Sequence, residues 1–314
     1  MLLENYKSIK EKDKFFNNQA CKEPDVFWDT LIDLDNENRE ADKKLFVFRG
    51  LSNAKYKLYN SAQRFVIEQD LFNFKKDLNN TNVSAMNLIV ELTDKLKQGC
   101  EVWKGGVIQK YLDKPINLSD KTDESEYFTY LSYLRHHNVP TPVIDVSNNP
   151  FVALYFAISN LHECNTNEEI DKYFSFYVFN LHLLNKFEQE HKQLRTFESN
   201  LYDKYQTVRN VQIYSMLNNL NIINQEGCLI SNISINPLEV EFDNIKKTFI
   251  KNKLKAELIE KRIISCYNIR KCTIPFFKQK LDKLGITKDF LFPNPYSLKD
   301  DLMDEAIVKI LNLR

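Results

Sequence analysis

The spacing of apolar residues along the chain predicts a mixture of helices and strands. From residue 151 to 158, in FVALYFAI, apolar side chains recur at positions i, i+3, i+4 and i+7, and Pro150 stands where proline is common in a first helical turn. Two alanines one turn apart would let this helix approach a sheet or a ligand closely. Short runs rich in aromatic and β-branched residues, such as LFVFR at 45–49 and the run at 174–179, predict strands instead.

Taken together, the predicted elements indicate an α+β fold, with a central mixed or antiparallel sheet flanked by helices and a mostly helical N-terminal part. Further strands are predicted at 143–146, 228–233 and 263–267, and further helices at 25–34, 61–78, 87–103, 124–135, 275–284 and 298–311. No repeat or flexible linker marks a boundary. We divide the chain into an N-terminal helical extension (1–45), a main domain (46–298) and a C-terminal helix (299–314).

The charge of the chain is balanced, with 43 lysines and arginines against 43 aspartates and glutamates, so it lacks the basic field of a nucleic-acid-binding protein. The densest basic stretch, five lysines between 246 and 255, lies in a predicted helix; we interpret it as a solvated face, with phosphate contact as the alternative. The first sixteen residues carry charges throughout and no long apolar run. We therefore expect neither a signal peptide nor a membrane span, and a cytoplasmic protein.

The cysteines and histidines give no metal signature. Six cysteines lie far apart without a CxxC pair, and five histidines show no HExxH or related spacing. The pattern argues against a zinc cluster and against a disulfide scaffold. No metal is expected.

Arg49, at the end of the first apolar strand, is the first candidate for chemistry. A guanidinium stays charged near pH 7, so it needs a carboxylate, carbonyl groups or an anionic ligand. Arg49 could form a bidentate ion pair with the carboxylate of Asp145, or it could contact a ligand, and the two can coexist. Gly50 allows close approach of backbone or ligand, or serves a simple turn. Arg64 is either an exposed helical arginine or a second phosphate contact.

The segment around the second predicted strand carries more candidates. His136 can hydrogen-bond a ribose hydroxyl or act as an acid or base, or it can brace a turn. Asp145 needs a partner, because burying a lone carboxylate is expensive; the alternative to a ligand contact is a bracket to backbone N–H groups at a helix start or turn. Ser147 and Asn148 precede a helix, whose N-terminal N–H groups can hold a phosphate or be capped. Tyr155 is either a core residue or a ring that stacks on a base.

Gln225 and Glu226 come just before a predicted strand. In a sugar-transfer site, a carboxylate at this position would stabilise the positive charge that develops on the sugar, while a glutamine would orient hydroxyl groups. Which of the two faces inward depends on the register of the strand. A surface turn without chemistry is the alternative.

In five segments the chain resembles the FRG domain family. They are FRG at 48–50, Ser61 with Arg64, HHNVPTPVIDVSNNPFVALYFA at 136–157, QEGCL at 225–229 and LGITKDFLFPNP at 284–295. The resemblance spans residues 46–298. The family usually has arginine at the position of Pro142 and glutamine at the position of Arg135. His137, Asn138, Val146 and Ser147 likewise replace the usual Tyr, Gly, Trp and Thr. The missing arginine implies a changed substrate or a degenerate site.

The order of these segments is also similar to the motif set of ADP-ribosyltransferases. That similarity implies that Arg49 holds the nicotinamide ribose or a phosphate, that Ser147 supports the pocket, and that Gln225 or Glu226 orients the ribose. The implied catalytic residues are Arg49, His136, Gln225 and Glu226, and the implied nucleotide-binding residues are Arg49, Gly50, Arg64, Asp145, Ser147, Asn148 and Tyr155.

The resemblances imply an NAD-using ADP-ribosyltransferase or NAD glycohydrolase, in a toxin or anti-phage defence system. Arg49 and Arg64 would hold the diphosphate and His136 the ribose. A nucleotide is then the ligand, with a protein regulator or a macromolecular acceptor as partner. The alternative, which Pro142 favours, is a non-catalytic sensor that binds a nucleotide or a partner in the same cleft. A nuclease based on His136, His137 and Asp145 is disfavoured, because no carboxylate cluster for a metal lies nearby.

Overall fold

The computed structural model describes residues 3–20, 23–69, 135, 139–161, 168–183, 208–212, 223–232, 236–251 and 263–293. Predictions on other residues lie outside this part of the chain. They include the helices at 87–103 and 298–311, most of the helix at 124–135, and the candidate catalytic residue His136.

The described residues form strands and helices in mixed order. The strands are β1 (Asn17–Ala20), β2 (Phe46–Leu51), β3 (Val143–Ser147), β4 (Tyr173–Asn180), β5 (Val208–Gln212), β6 (Gly227–Asn232) and β7 (Ile264–Arg270). The helices are α1 (Ile9–Lys12), α2 (Pro24–Glu40), α3 (Ser61–Glu68), α4 (Pro150–Ile158), α5 (Leu238–Lys251), α6 (Ile274–Lys283) and α7 (Lys288–Leu291). None of these described helices has the length and apolar character of a membrane-spanning segment.

The seven strands form one sheet in the order β1-β7-β4-β2-β3-β6-β5. The pair β1 and β7 is parallel, and the other neighbouring strands are antiparallel. The predicted α+β fold with a mixed sheet and flanking helices is therefore confirmed. The segment 1–45, predicted as a helical extension, also supplies the edge strand β1. The division of the chain at residues 45 and 298 stays a prediction.

Both faces of the sheet are covered by apolar side chains, because successive residues of a strand point to opposite faces. On β2, Val47 and Leu51 join one cluster, together with residues that follow β2 and with α5, whereas Phe48 joins the other, with α2, α4 and α6. On β4, Phe176 and Tyr177 divide in the same way. The sheet is thus the middle layer of the described fold.

Helix α4 lies directly against β2, and Gly50 makes this possible. A Cβ atom added at Gly50 would lie 2.2 Å from the carbonyl oxygen of Ala153 and 2.6 Å from the Cβ of Ala157. These distances are far below van der Waals contact. Helix α4 can therefore lie this close to β2 because Ala153, Ala157 and Gly50 are all small.

A lysine holds the N-terminal segment to the sheet. Lys12 is fully buried, and its Nζ donates to the carbonyl oxygen of Ala54 at 3.0 Å, to Oγ of Ser175 at 2.7 Å and to Oδ1 of Asn268 at 3.0 Å. Nζ also lies 5.1 Å from the ring centre of Tyr177. Burial lowers the pKa of Lys12. Its hydrogen bonds join α1 to β4, to β7 and to the segment after β2.

A buried carboxylate fixes α5 next to this lysine. Glu239 accepts a hydrogen bond from the Tyr6 hydroxyl at 2.6 Å, and its two carboxylate oxygens lie 3.3 and 3.2 Å from the backbone nitrogen of Leu58. Burial raises the pKa of Glu239, although these hydrogen bonds and the charge of Lys12 act in the opposite direction. The carboxylate form is therefore costly at this position.

We expect Gly50→Ala to lower the free energy of unfolding by about 3 kcal/mol, because the added methyl group overlaps the backbone of α4. Urea denaturation measures this change. Gly285→Ala is the matched control: Gly285 has φ of 73° and nothing within 4 Å of an added Cβ, so only backbone strain of about 1 kcal/mol is expected. Equal effects of the two substitutions would contradict the close packing of α4 on β2.

Glu239→Gln tests the cost of the buried carboxylate. Because the pKa of Glu239 is raised, the folded state binds the proton more tightly than the unfolded state. The contribution of this group to the free energy of unfolding therefore falls as pH rises from about 4.5 towards neutrality. We expect the stability of the variant relative to the wild type to increase over this range, as measured by urea denaturation at several pH values. A difference independent of pH would argue against a raised pKa.

Candidate functional site

The side chain of Arg49 joins two strands of the sheet. β2 and β3 share one register pair, Phe48 with Ser147. Beside it, Nη1 of Arg49 donates a hydrogen bond to the backbone carbonyl of Asp145. The guanidinium thus hydrogen-bonds the main chain where the pairing of the two strands ends, and a partly buried carbonyl group gains its partner. The structure brings Arg49 and Asp145 together through the carbonyl oxygen and not through a carboxylate fork.

The carboxylate of Asp145 binds a different arginine. Its Oδ2 lies 2.8 Å from Nε of Arg135. The side chains of both residues are partly exposed, at 32% for Arg135 and 46% for Asp145. No role in a site was predicted for Arg135 from the sequence. Its position in a predicted helix resembled that of any exposed arginine, and only the folded chain shows its partner.

Helix α3 brings a third arginine to the same region. Its N-terminus is capped by Asn60, whose side chain accepts from the backbone of Gln63 at 2.9 Å, while the Gln63 side chain accepts from the backbone of Asn60 at 2.8 Å. Oγ of Ser61 accepts from the backbone nitrogen of Thr141 at 2.9 Å, which ties α3 to the segment before β3. Arg64 follows within the first turn of this anchored helix.

The three guanidinium groups act on one another electrostatically. Burial lowers the pKa of Arg49 to about 10; the charge of Asp145 opposes this shift, whereas Arg135 and Arg64 add to it. Burial and then Arg135 also lower the pKa of Arg64. Arg49 and Arg64 nevertheless stay charged at neutral pH. Among the described residues, neither Arg49 nor Arg64 forms an ion pair with a carboxylate, so the cluster favours an anion such as a phosphate.

The turn before β6 gathers the second group of predicted residues. Oγ of Ser147 donates to the carbonyl oxygen of Gln225 at 2.7 Å. The backbone nitrogen and Nδ2 of Asn148 donate to the carbonyl oxygen of Glu226 at 3.0 and 3.2 Å. Glu226 has φ of 45°, a left-handed conformation that is unfavourable for a residue with a side chain. The end of β3 therefore holds this turn in place.

The side chains of the turn differ in exposure. Glu226 is exposed, and its Oε1 accepts a hydrogen bond from Nδ2 of Asn149 at 2.9 Å. Gln225 is half-buried and donates from Nε2 to the carbonyl oxygen of Leu291 at 3.1 Å. Of the two candidates, Glu226 thus presents its side chain at the surface, and Gln225 anchors the turn to α7.

The arginine cluster and the turn are neighbours along β3. Burial raises the pKa of the Cys228 thiol, and the carboxylates of both Asp145 and Glu226 contribute to this shift. One buried thiol therefore lies within electrostatic range of a carboxylate from each group. Two residues of β3 make the contacts: Asp145 bonds to Arg135 of the arginine cluster, and Ser147, two positions later, bonds to Gln225 of the turn.

Packing accounts for the remaining predicted residues in the described part of the chain. Gly50 lies against α4, and Tyr155 packs on the apolar cluster beneath that helix. Their contact with a ligand stays a prediction. No group of three His, Cys, Asp or Glu side chains suited to a metal ion is present among the residues that the structure describes.

Comparison with protein-family models matches residues 44–166 to the FRG domain. The matched range contains the three arginines, β3 and α4, whereas the turn at 225–226 lies beyond it. No curated protein and no solved structure gives a significant match.

We expect Glu226→Gly to raise the free energy of unfolding by about 1 kcal/mol, because glycine adopts the left-handed conformation without strain. The lost hydrogen bond to Asn149 is exposed and offsets little of this gain. Thermal and urea denaturation measure the effect. Glu226→Ala is the control, since it removes the same carboxylate but keeps the strain. If the glycine variant is no more stable than the alanine variant, the strain at this turn is absent.

Proposed function

The chain carries an FRG domain over residues 44–166, and from this premise we propose that it binds NAD and cleaves it, as an ADP-ribosyltransferase or NAD glycohydrolase. The observation that carries the proposal is the arginine cluster of Arg49, Arg64 and Arg135 beside β3. It concentrates positive charge in the part of the FRG domain where the chain resembles the ADP-ribosyltransferases.

The described residues suggest a division of roles. Arg49 and Arg64 hold the diphosphate of the nucleotide, since guanidinium groups bind phosphate oxygens through paired hydrogen bonds. Glu226, exposed on its turn, stabilises the positive charge that develops on the ribose as the bond to nicotinamide breaks. Ser147 and Gln225 position that turn through their hydrogen bonds. His136, proposed to contact the ribose, lies outside the described residues.

A second candidate function is a sensor that binds a nucleotide without cleaving it. Two observations favour it. The carboxylate of Glu226 already accepts a hydrogen bond from Asn149, and the side chain of Gln225 is bonded to Leu291. The family's usual arginine is also replaced by Pro142. In this case the arginine cluster retains its role in binding, and the turn has only a structural role.

The proposed biological setting is a toxin or anti-phage effector that acts in the cytoplasm. Transfer of ADP-ribose would require a macromolecular acceptor, and hydrolysis would require only water. A protein regulator would keep such an activity under control. The family resemblance supports this setting.

Incubation of the purified protein with NAD tests the proposal, with released nicotinamide measured by mass spectrometry and NAD binding measured by calorimetry. We expect the wild type to release nicotinamide. Glu226→Gln should lower the rate of release about 100-fold or more while NAD still binds, because the amide cannot stabilise a developing cation. Arg64→Gln should weaken NAD binding about tenfold or more, since it removes a charged phosphate donor.

The choice of variants separates binding from folding. Arg64 is a better target than Arg49, because replacing Arg49 also leaves the carbonyl group of Asp145 without its hydrogen bond. Arg39→Gln is the control, since Arg39 is an exposed arginine paired with Asp35 on α2. Binding without release in the wild type would support the sensor. A folded protein that neither binds nor consumes NAD would contradict both the enzyme and the NAD-sensor proposals.

A further inference from the structure

The two hydrogen bonds that Asp145 makes with arginines differ in how easily they can break. Arg49 donates to its backbone carbonyl, which cannot move without distorting β3. Arg135 donates to its carboxylate, and both partners of that ion pair are partly exposed. Partly exposed ion pairs add little stability, because water solvates both charges once they separate. The carboxylate of Asp145 is therefore the exchangeable partner of this cluster.

The cluster carries more positive than negative charge. Arg49 and Arg135 bond to Asp145, and Arg64 lies within electrostatic range of both arginines. Among the described residues, the carboxylate of Asp145 is the one that forms an ion pair with this cluster. Glu68, one turn after Arg64 on α3, is exposed, and water screens its charge. Among the described residues, two positive charges thus remain in excess. A diphosphate diester, as found in a dinucleotide, carries two negative charges.

We infer that Arg135 is a third phosphate-binding residue of this site and that Asp145 is its internal counter-ion, which a bound diphosphate displaces. Arg49 keeps its bond to the Asp145 backbone and provides a fixed donor, while Arg135 exchanges the carboxylate for a phosphate oxygen. This inference rests on the proposed nucleotide binding, and it assigns the diphosphate as the part of the ligand that the cluster recognises.

Asp145 therefore has a different role from one that the sequence suggested. A carboxylate that contacts the ligand directly, for example through a ribose hydroxyl, would strengthen binding. A counter-ion competes with the incoming diphosphate for Arg135 and weakens binding. The two roles predict opposite effects when the charge of Asp145 is removed. Its backbone carbonyl, and with it the position of Arg49, remains in either case.

Calorimetric titration with inorganic pyrophosphate tests the inference. We expect Asp145→Asn to tighten pyrophosphate binding about fivefold, because it removes the competing charge. Arg135→Gln should weaken binding about tenfold or more, because it removes a charge-assisted hydrogen bond. In the double variant the gain from Asp145→Asn should disappear, since the aspartate acts through Arg135. Melting temperatures confirm that each variant folds.

Glu169→Gln is the matched control. It removes one carboxylate from an exposed ion pair, formed with Lys172 at 2.7 Å, and changes the net charge by the same amount as Asp145→Asn. We expect it to leave pyrophosphate affinity unchanged. Equal tightening by Glu169→Gln and Asp145→Asn would mean that total charge alone causes the effect, which would overturn the inference. Weaker or unchanged binding after Asp145→Asn would also overturn it.

The outcome is independent of NAD cleavage. If pyrophosphate binding responds as expected while the wild type releases no nicotinamide, the inference stands and the enzymatic proposal fails. If nicotinamide is released but Arg135→Gln leaves pyrophosphate affinity unchanged, the enzymatic proposal stands and the inference fails. A folded wild type that does not bind pyrophosphate at all would overturn the inference directly.

Discussion

The bond from Arg49 to the backbone carbonyl of Asp145 joins two parts of the sheet that otherwise meet at one register pair. On one side lie β1, β7, β4 and β2, and on the other lie β3, β6 and β5. A charged side chain thus completes the connection where main-chain pairing stops. Because the Arg49 guanidinium also belongs to the arginine cluster, the proposed phosphate site is part of the framework of the sheet. Stability and the proposed phosphate binding consequently depend on one residue.

β3 organises the rest of the candidate site. Over five residues it supplies the carbonyl group for Arg49, the carboxylate for Arg135 and the hydroxyl group of Ser147 that holds the turn before β6. The asparagines that follow it bind the turn at Glu226 and cap α4. A short strand can do this because residues two apart, such as Asp145 and Ser147, share one face while the backbone still offers carbonyl groups at its edge. The cation cluster and the exposed carboxylate are therefore held at a fixed spacing.

The sequence predicted those parts of the fold whose signal is local. The strands β2, β3, β4, β6 and β7 are apolar runs, and the predictions found each of them. β1 (NNQA) and β5 (VRNVQ) were missed, because edge strands with polar residues are defined by the partner that they join. The sequence also singled out Arg49 and Asp145, but it could not distinguish a carbonyl from a carboxylate acceptor. Arg135 was missed because its partner, Asp145, lies ten positions away in the sequence.

The parallel pairing of β1 with β7 has a consequence for how the protein is made. β1 joins Asn17 to Ser265, and Lys12 in the preceding helix bonds to Asn268. During synthesis, residues 12–20 leave the ribosome long before residues 265–268, with which they pair, have been made. Contacts so distant in sequence form slowly, because a long loop must close first. The aromatic side chains of Tyr6 and Phe16, buried in the finished fold, therefore stay exposed to chaperones and to aggregation until the later strands have been made.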